Sequence, residues 1–325
     1  MVVMNMVQAI GNALSVEMEG DTSVVVLGED VGVDGGVFRV TDGLYEKFGP
    51  TRVIDTPLSE ACIAGAAIGM AMNGLKPVAE IQFMGFSYFI LDQMICHAAR
   101  IRNRSRGRLG VPLVLRTPYG AGVKALEHHS ESTEALYAQI PGLKVVVPST
   151  PREAKGLLIS SIRDPDPVVF LEPTRNYRLI KEDVDEGAFT IPLGQARKVR
   201  EGKDVTVVGW GAMIPMIQEA ASKAEADGTS VEIIDLRTLA PMDSETIVES
   251  VKKTGRAVVV HEAPKTGGLG AEISARICEK ALLSLKAPVE RVTAPDITVP
   301  LPKGEHYYYV DADKVHRGIQ RVMTF

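Results

Sequence analysis

Short unbroken aliphatic runs return along the whole chain, and most are followed by a stretch with helical spacing. Val24-Val25-Val26-Leu27 runs into Gly28, Val205-Thr206-Val207-Val208 into Gly209, and Ala257-Val258-Val259-Val260 into His261. A strand without polar alternation is covered on both faces. Such strands alternating with helices build parallel α/β sheets. In the first half the spacing predicts strands at Val24–Leu27, Arg52–Ile54, Val78–Gln82, Val111–Arg116, Lys144–Val147 and Val168–Leu171. Between them it predicts helices at Glu60–Asn73, Phe86–Arg102, Ser132–Gln139 and Pro151–Arg163, preceded by an amphipathic helix carrying Met6, Ile10, Leu14 and Met18. From Lys181 to Asp204 the chain turns charged and loses long apolar runs. This divides it into a first domain at 1–185, a linker at 186–204 and a second domain at 205–325. The expected fold class is α/β, with two parallel-sheet domains.

Composition excludes several classes of function. A net charge of −5 gives no reason to expect nucleic acid, and the basic run Arg100, Arg102, Arg104, Arg106 and Arg108 has no interleaved aromatics. That run reads as a solvated turn or a docking face. Cys62, Cys96 and Cys278 lie far apart, which argues against a zinc ribbon, a cluster or a disulfide framework and fits a reducing compartment. No apolar run is long enough to span a membrane, and residues 1–20 hold no Lys or Arg. The expectation is a cytoplasmic protein with no nucleic-acid or membrane partner.

Ligands of open α/β sheets gather beyond the C-terminal ends of the strands. The candidate loops there are Gly28-Glu29-Asp30, Asp55 to Glu60, Phe83 to Phe86, and Pro118 to Glu131, which contains His128-His129-Ser130. After the Pro57 turn, Ser59 is placed to cap a helix with Glu60 on its first turn. The residues that follow, Ala61 to Ala71, are almost all Ala, Gly, Ile and Met, so the helix is expected to be buried. Glu60 can answer the helix dipole or serve as a site carboxylate, and the residues alone leave both open. The same holds for His129 as an acid–base group and Phe86 as a stacking aromatic. Gly267-Gly268-Leu269-Gly270 is either an anion-binding helix lead-in or only a flexible one. No phosphate-binding P-loop, nucleophile elbow or metal-ligand spacing occurs.

Taken in order, several segments resemble one family: Leu27-Gly28-Glu29-Asp30-Val31-Gly32, Asp55-Thr56-Pro57-Leu58-Ser59-Glu60, Leu91-Asp92-Gln93, His129-Ser130, Pro141-Gly142-Leu143-Lys144-Val145-Val146 and Ala154-Lys155-Gly156-Leu157-Leu158. The second half agrees through Asp235-Leu236-Arg237-Thr238-Leu239-Ala240-Pro241 and Gly270-Ala271-Glu272-Ile273. The family is the β subunit of the thiamine-diphosphate-dependent decarboxylating component of 2-oxoacid dehydrogenase complexes. The resemblance implies a pyrimidine-binding domain followed by a transketolase-type C-terminal domain. It also implies an α2β2 heterotetramer with the α subunit of the same dehydrogenase, serving a lipoyl acyltransferase core.

By position, the resemblance gives Glu60 the hydrogen bond to the aminopyrimidine ring nitrogen and Phe86 the stack on that ring. Leu58 and Gln82 line the pocket, Glu29 is an acid near the cofactor, and His129 assists acyl transfer to a lipoyl group. The Gly-Asp-Gly…Asn-Asn diphosphate motif is missing, which places the Mg2+ ligands on the α subunit. A potassium ion is implied at Leu113, Ser161, Asp164 and Asp166, where Asp166 stands in place of a frequent Asn. The implied reaction is oxidative decarboxylation of a 2-oxo acid with reductive acylation of lipoyl, a branched-chain substrate being favoured and pyruvate next. The alternatives are a transketolase-like C-terminal half acting on ketose phosphates and a non-catalytic scaffold subunit.

Overall fold

The aliphatic runs pair as their alternation predicts. The computed structural model describes residues 1–325. Seven strands form the first sheet in the order Thr238–Ala240, Lys144–Val146, Val168–Pro173, Val114–Tyr119, Lys76–Glu80, Val24–Gly28 and Val53–Asp55. All neighbours are parallel except the first pair, which is antiparallel. Gly28 stands opposite both Asp55 and Glu80, and Glu80 stands opposite Arg116. The C-terminal ends of three strands are therefore level, with the fourth running three residues further to Tyr119, and the loops carrying the candidate residues leave from one edge.

The second sheet runs Glu290–Ala294, Ala257–Pro264, Val205–Gly209, Val231–Asp235 and Arg197–Arg200, with only the last strand antiparallel. Its edge strand Arg197–Arg200 lies inside the stretch read as linker. Its charged alternation hides it from a search for aliphatic runs. Strand Thr238–Ala240 crosses from the second half to pair with the first sheet. One continuous apolar core joins Tyr119 and Val147 to Val208, Trp210, Ile234 and Leu239.

The N-terminal helix covers Met6–Gly20, and Met6, Ile10, Leu14 and Met18 are all buried. Thr150 caps the helix Pro151–Ile162 by accepting the Glu153 N–H, with Pro151 at its start; the Glu153 carboxylate turns to the Ser149 N–H instead of closing a capping box. Two expectations are corrected. The single helix expected over Phe86–Arg102 is broken into a 3₁₀ stretch at Met84–Ile90, a π turn at Gln93–Ala98 and a short α turn at Ile101–Arg104. Tyr137 donates its hydroxyl to the Ser87 carbonyl at 3.0 Å, a competing acceptor role that helical periodicity does not reveal. The helix Glu60–Met72 is not wholly buried. Ile63, Ala64, Ala67, Ile68 and Ala71 face inward, while Cys62, Gly65, Ala66, Gly69 and Met72 face out. Within one chain only one side of that helix has a sheet to pack on.

No helix is long and apolar enough to cross a membrane.

Candidate active site

Strand Val24–Gly28 ends in a glycine because nothing larger fits: a Cβ at Gly28 would lie 2.9 Å from the Glu80 carbonyl oxygen. The chain then passes Glu29 and Asp30 and is pinned by Asp55, whose carboxylate accepts the Gly32 and Val33 N–H groups. Asp55 ends the neighbouring strand, so one side chain ties two of the candidate loops together.

Glu29 is buried, and its Oε1 has no hydrogen-bond partner. Burial raises its carboxyl above the ordinary value, the charge of Glu60 adds to the rise, and the Ser59 backbone N–H opposes it. Glu60 is thus near enough for its charge to be felt at Glu29. Ser59 does not cap the helix with its side chain; its backbone serves the neighbouring acid instead. Glu60 is half-buried at the helix start and Leu58 before it is 82% exposed.

Gln82 donates to Asp30 Oδ2 at 3.0 Å, which orients its amide along the rim. Next to it stands an aromatic group. Phe83 and Phe86 meet edge to face with ring centroids 5.9 Å apart, and His129 packs edge-on to Phe83 at 4.4 Å and to Phe86 at 5.2 Å. Gly85 allows this approach, since a Cβ there would sit 2.2 Å from the His128 carbonyl oxygen. Tyr88 also donates its hydroxyl to Glu131 at the far end of the same loop. The Nδ1 of His129 is buried without a partner.

The structure therefore brings Glu29 and Glu60 together, and separately Phe86 and His129, on one strand-end edge with Gln82. Leu58 stands outward beside Glu60. Phe83, which packs against both Phe86 and His129, lies in a candidate loop but has no role legible in the sequence, and neither has Asp55 as a loop pin. The place of Phe83 as the first residue of the candidate loop Phe83 to Phe86 was the only available signal. Two unanswered polar atoms, a carboxylate pair and an edge-on aromatic group can together receive a flat heterocycle with hydrogen-bonding nitrogens.

This edge is open. A surface groove of 950 Å3 lies elsewhere, walled by Arg100, Arg102, Arg106 and Lys144. The basic run thus forms a groove at the surface rather than part of the site.

The residues read for potassium do lie near one another, but protein cations answer their carboxylates. Lys144 Nζ is 2.6 Å from both oxygens of Asp164 and 3.8 Å from Asp166, which also pairs with Arg102. The Leu113 carbonyl accepts Val168 N–H at 2.9 Å, and the Ser161 hydroxyl turns back to the Leu157 carbonyl at 2.7 Å. The glycines at 268 and 270 pack against the buried His261 ring, which accounts for the Gly267–Gly270 stretch without an anion.

Residues 3–181 match the family model of the transketolase pyrimidine binding domain, and residues 194–315 that of the transketolase C-terminal domain. The pyruvate dehydrogenase E1 component subunit beta of Acholeplasma laidlawii is 53% identical over 322 residues, 99% of this chain and 98% of that one. The protein of the same name from Bacillus subtilis (strain 168) is 50% identical over 99% of both. Among solved structures, a split-gene transketolase in an inactive β4 tetramer aligns with a TM-score of 0.78 at 24% identity, over 99% of this chain and 98% of that one. The transketolase of Campylobacter jejuni subsp. jejuni NCTC 11168 aligns with a TM-score of 0.72 at 14% identity, over 98% of this chain and 47% of that one. These two share the fold.

Proposed function

The chain belongs to the E1-component β subunits of thiamine-diphosphate-dependent 2-oxoacid dehydrogenases, and from that premise we propose that it supplies the pyrimidine side of an active site completed by an α subunit. The observation that carries this reading is the open edge itself. Glu60 is near enough for its charge to act on Glu29, whose buried Oε1 has no partner, while Glu60 is only half-buried and Leu58 beside it is exposed to solvent. A site of this kind is complete only with a second wall, and the outward face of helix Glu60–Met72 offers apolar, small-residue surface beside it. The α2β2 assembly, a lipoyl acyltransferase partner and Mg2+ held by the α subunit belong to the same proposal, as does the division into domains at 1–185 and 205–325. Three free cysteines fit a reducing cytoplasm.

Bound thiamine diphosphate supplies the electron sink that makes decarboxylation of a 2-oxo acid feasible. Glu60 is the residue we assign to a charge-assisted hydrogen bond with the ring nitrogen, where a carboxylate favours the protonated nitrogen. Glu29, whose carboxyl is raised above its ordinary value by burial and by the charge of Glu60, stands beside it as a second acid near the ring. Phe86 holds the ring's face, Gln82 the rim and Leu58 the outer apolar wall. His129 serves as the proton donor for transfer of the acyl group to a lipoyl sulfur, a role suited to a half-buried imidazole on a loop at this edge. A potassium ion held by the Asp164 carboxylate would compete with Lys144, so the potassium site at Leu113, Ser161, Asp164 and Asp166 is proposed through backbone oxygens.

For the substrate we propose pyruvate ahead of branched-chain 2-oxo acids. This reverses the order expected from sequence, because the relatives at about half identity carry the pyruvate name. Co-expression with an α subunit, followed by assays on pyruvate and branched-chain 2-oxo acids, tests both points. The expected result is a heterotetramer with the higher kcat/KM for pyruvate. Turnover by the β chain alone would contradict the half-site reading, and preference for a branched substrate would contradict the assignment of pyruvate. In the same preparation, His129→Ala should spare decarboxylation with an artificial electron acceptor while slowing acyl transfer to a lipoyl domain. Equal losses in both would remove His129 from the transfer step.

A further inference from the structure

The loop that carries His129 leaves the first sheet after Tyr119, and its ends are tied where Gly120 donates to the Glu131 carbonyl at 3.0 Å. Its first residues rest on the second half of the chain. Ala121 is fully buried against Ala294, Val299 and Tyr308. Gly122 donates its N–H to Glu305 Oε1 at 2.7 Å, and Glu305 is only 1% exposed. The backbone is left-handed at both glycines, with φ of 90° at Gly120 and 121° at Gly122.

Close packing holds that geometry. A Cβ at Gly120 would lie 2.6 Å from Glu262 Oε2, and one at Gly122 would lie 2.7 Å from Arg175 Cγ. Arg175 itself stands 3.9 Å from Glu262 and lies over the Tyr309 ring at 5.0 Å. A carboxylate accepting a backbone N–H in such a setting makes one of the stronger kinds of hydrogen bond.

We infer that Glu305 is a positioning residue for acyl transfer: by holding Gly122 it fixes the base of the loop, and with it the place of His129. The C-terminal segment of the second half thereby governs a step carried out at the edge of the first sheet. This rests on the role proposed above for His129.

The test uses the holoenzyme assembled with its α subunit. Glu305→Ala should speed tryptic cleavage after Lys124, the exposed lysine of the loop, and lower kcat for acyl transfer to a lipoyl domain by about tenfold, as misplacement of a reacting group does. Decarboxylation with an artificial acceptor should change by less than about twofold, since that assay does not need His129. Glu305→Gln keeps an oxygen that can accept from Gly122 and should restore slow cleavage and most of the transfer rate. Glu305→Asp keeps the charge but shortens the arm by one methylene; it should behave like the alanine variant and replaces it if the latter fails to assemble. Unchanged cleavage at Lys124 would overturn the inference, as would equal losses in both assays accompanied by a lower Tm. His129→Ala measured alongside separates the two claims. If it costs both assays equally while Glu305→Ala still loosens the loop, the role of His129 falls and the latch stands. If it slows transfer alone while Glu305→Ala is harmless, the latch falls.

Discussion

Replacing Arg116 by Leu tests how the strand ends beneath the site are held. Arg116 is 1% exposed and donates to Glu172 through Nε at 2.7 Å and Nη2 at 2.9 Å, while Nη1 pairs with Glu80. Tyr177 gives Glu172 a further hydrogen bond at 2.6 Å. Leucine fills much of the volume but leaves two buried carboxylates facing each other. Breaking a buried pair by removing one partner typically costs about 3–5 kcal/mol. In a chain of 325 residues that corresponds to a drop in Tm of about 5–10 °C. The cost must also depend on pH. Burial already raises the Glu80 carboxyl, against the pull of Arg116. Without the arginine the folded state takes up protons more readily than the unfolded chain. The extra instability is therefore full at high pH and shrinks as pH falls. Calorimetry and urea midpoints at pH 5.5 and 8 measure both effects. A deficit below about 1 kcal/mol at pH 8, or one that does not change with pH, would refute the reasoning.

Two further perturbations address other parts of the structure. Burial pushes the Glu134 carboxyl up from 4.5 to about 7, with the Trp210 side chain opposing. The stability it contributes is complete below the unfolded value and is lost as pH rises through about 7. Glu134→Gln should therefore gain on the parent protein between pH 5 and 8, by at most about 3 kcal/mol, and parallel stability curves would contradict this. Gly85→Ala puts a Cβ where the His128 carbonyl oxygen now sits, so either the Phe86 turn or the His129 loop must move. Acyl transfer should fall by about tenfold or more, and decarboxylation should fall with it if the Phe86 turn is what moves; unchanged acyl transfer would mean that the close approach has no part in shaping the site.

The sequence revealed the fold where its signal was local. Aliphatic runs such as Val24–Leu27 can only be doubly covered strands, and their alternation with helices sets the parallel order. Strand Arg197–Arg200 was hidden because an edge strand needs no apolar run. The return of Thr238–Ala240 to the first sheet was hidden because three residues carry no topological signal. The break in the predicted Phe86–Arg102 helix lies where the Ser87 carbonyl accepts from distant Tyr137, a contact that no local period reports. At the candidate site, Glu60 and His129 were legible as loop residues at strand ends, and Gln82 only through the family resemblance. The contact of Phe83 with His129 depends on how two distant loops meet, and the grip of Glu305 on Gly122 spans 183 positions.

The most direct test of the account is Glu60→Gln in the assembled heterotetramer. The amide keeps the size of the side chain and can still hydrogen-bond, but it cannot carry the charge that favours a protonated ring nitrogen. Losing a charge-assisted interaction that strengthens along the reaction should cost about 2–4 kcal/mol, a fall in kcat of roughly 30- to 1,000-fold. Assembly and Tm should stay near those of the parent, since Glu60 is a half-buried residue at the start of a helix. The measurement is decarboxylation of pyruvate with an artificial electron acceptor, which does not depend on the lipoyl step. Near-parental decarboxylation by a correctly assembled Glu60→Gln enzyme would reduce Glu60 to a first-turn acid and contradict the central claim.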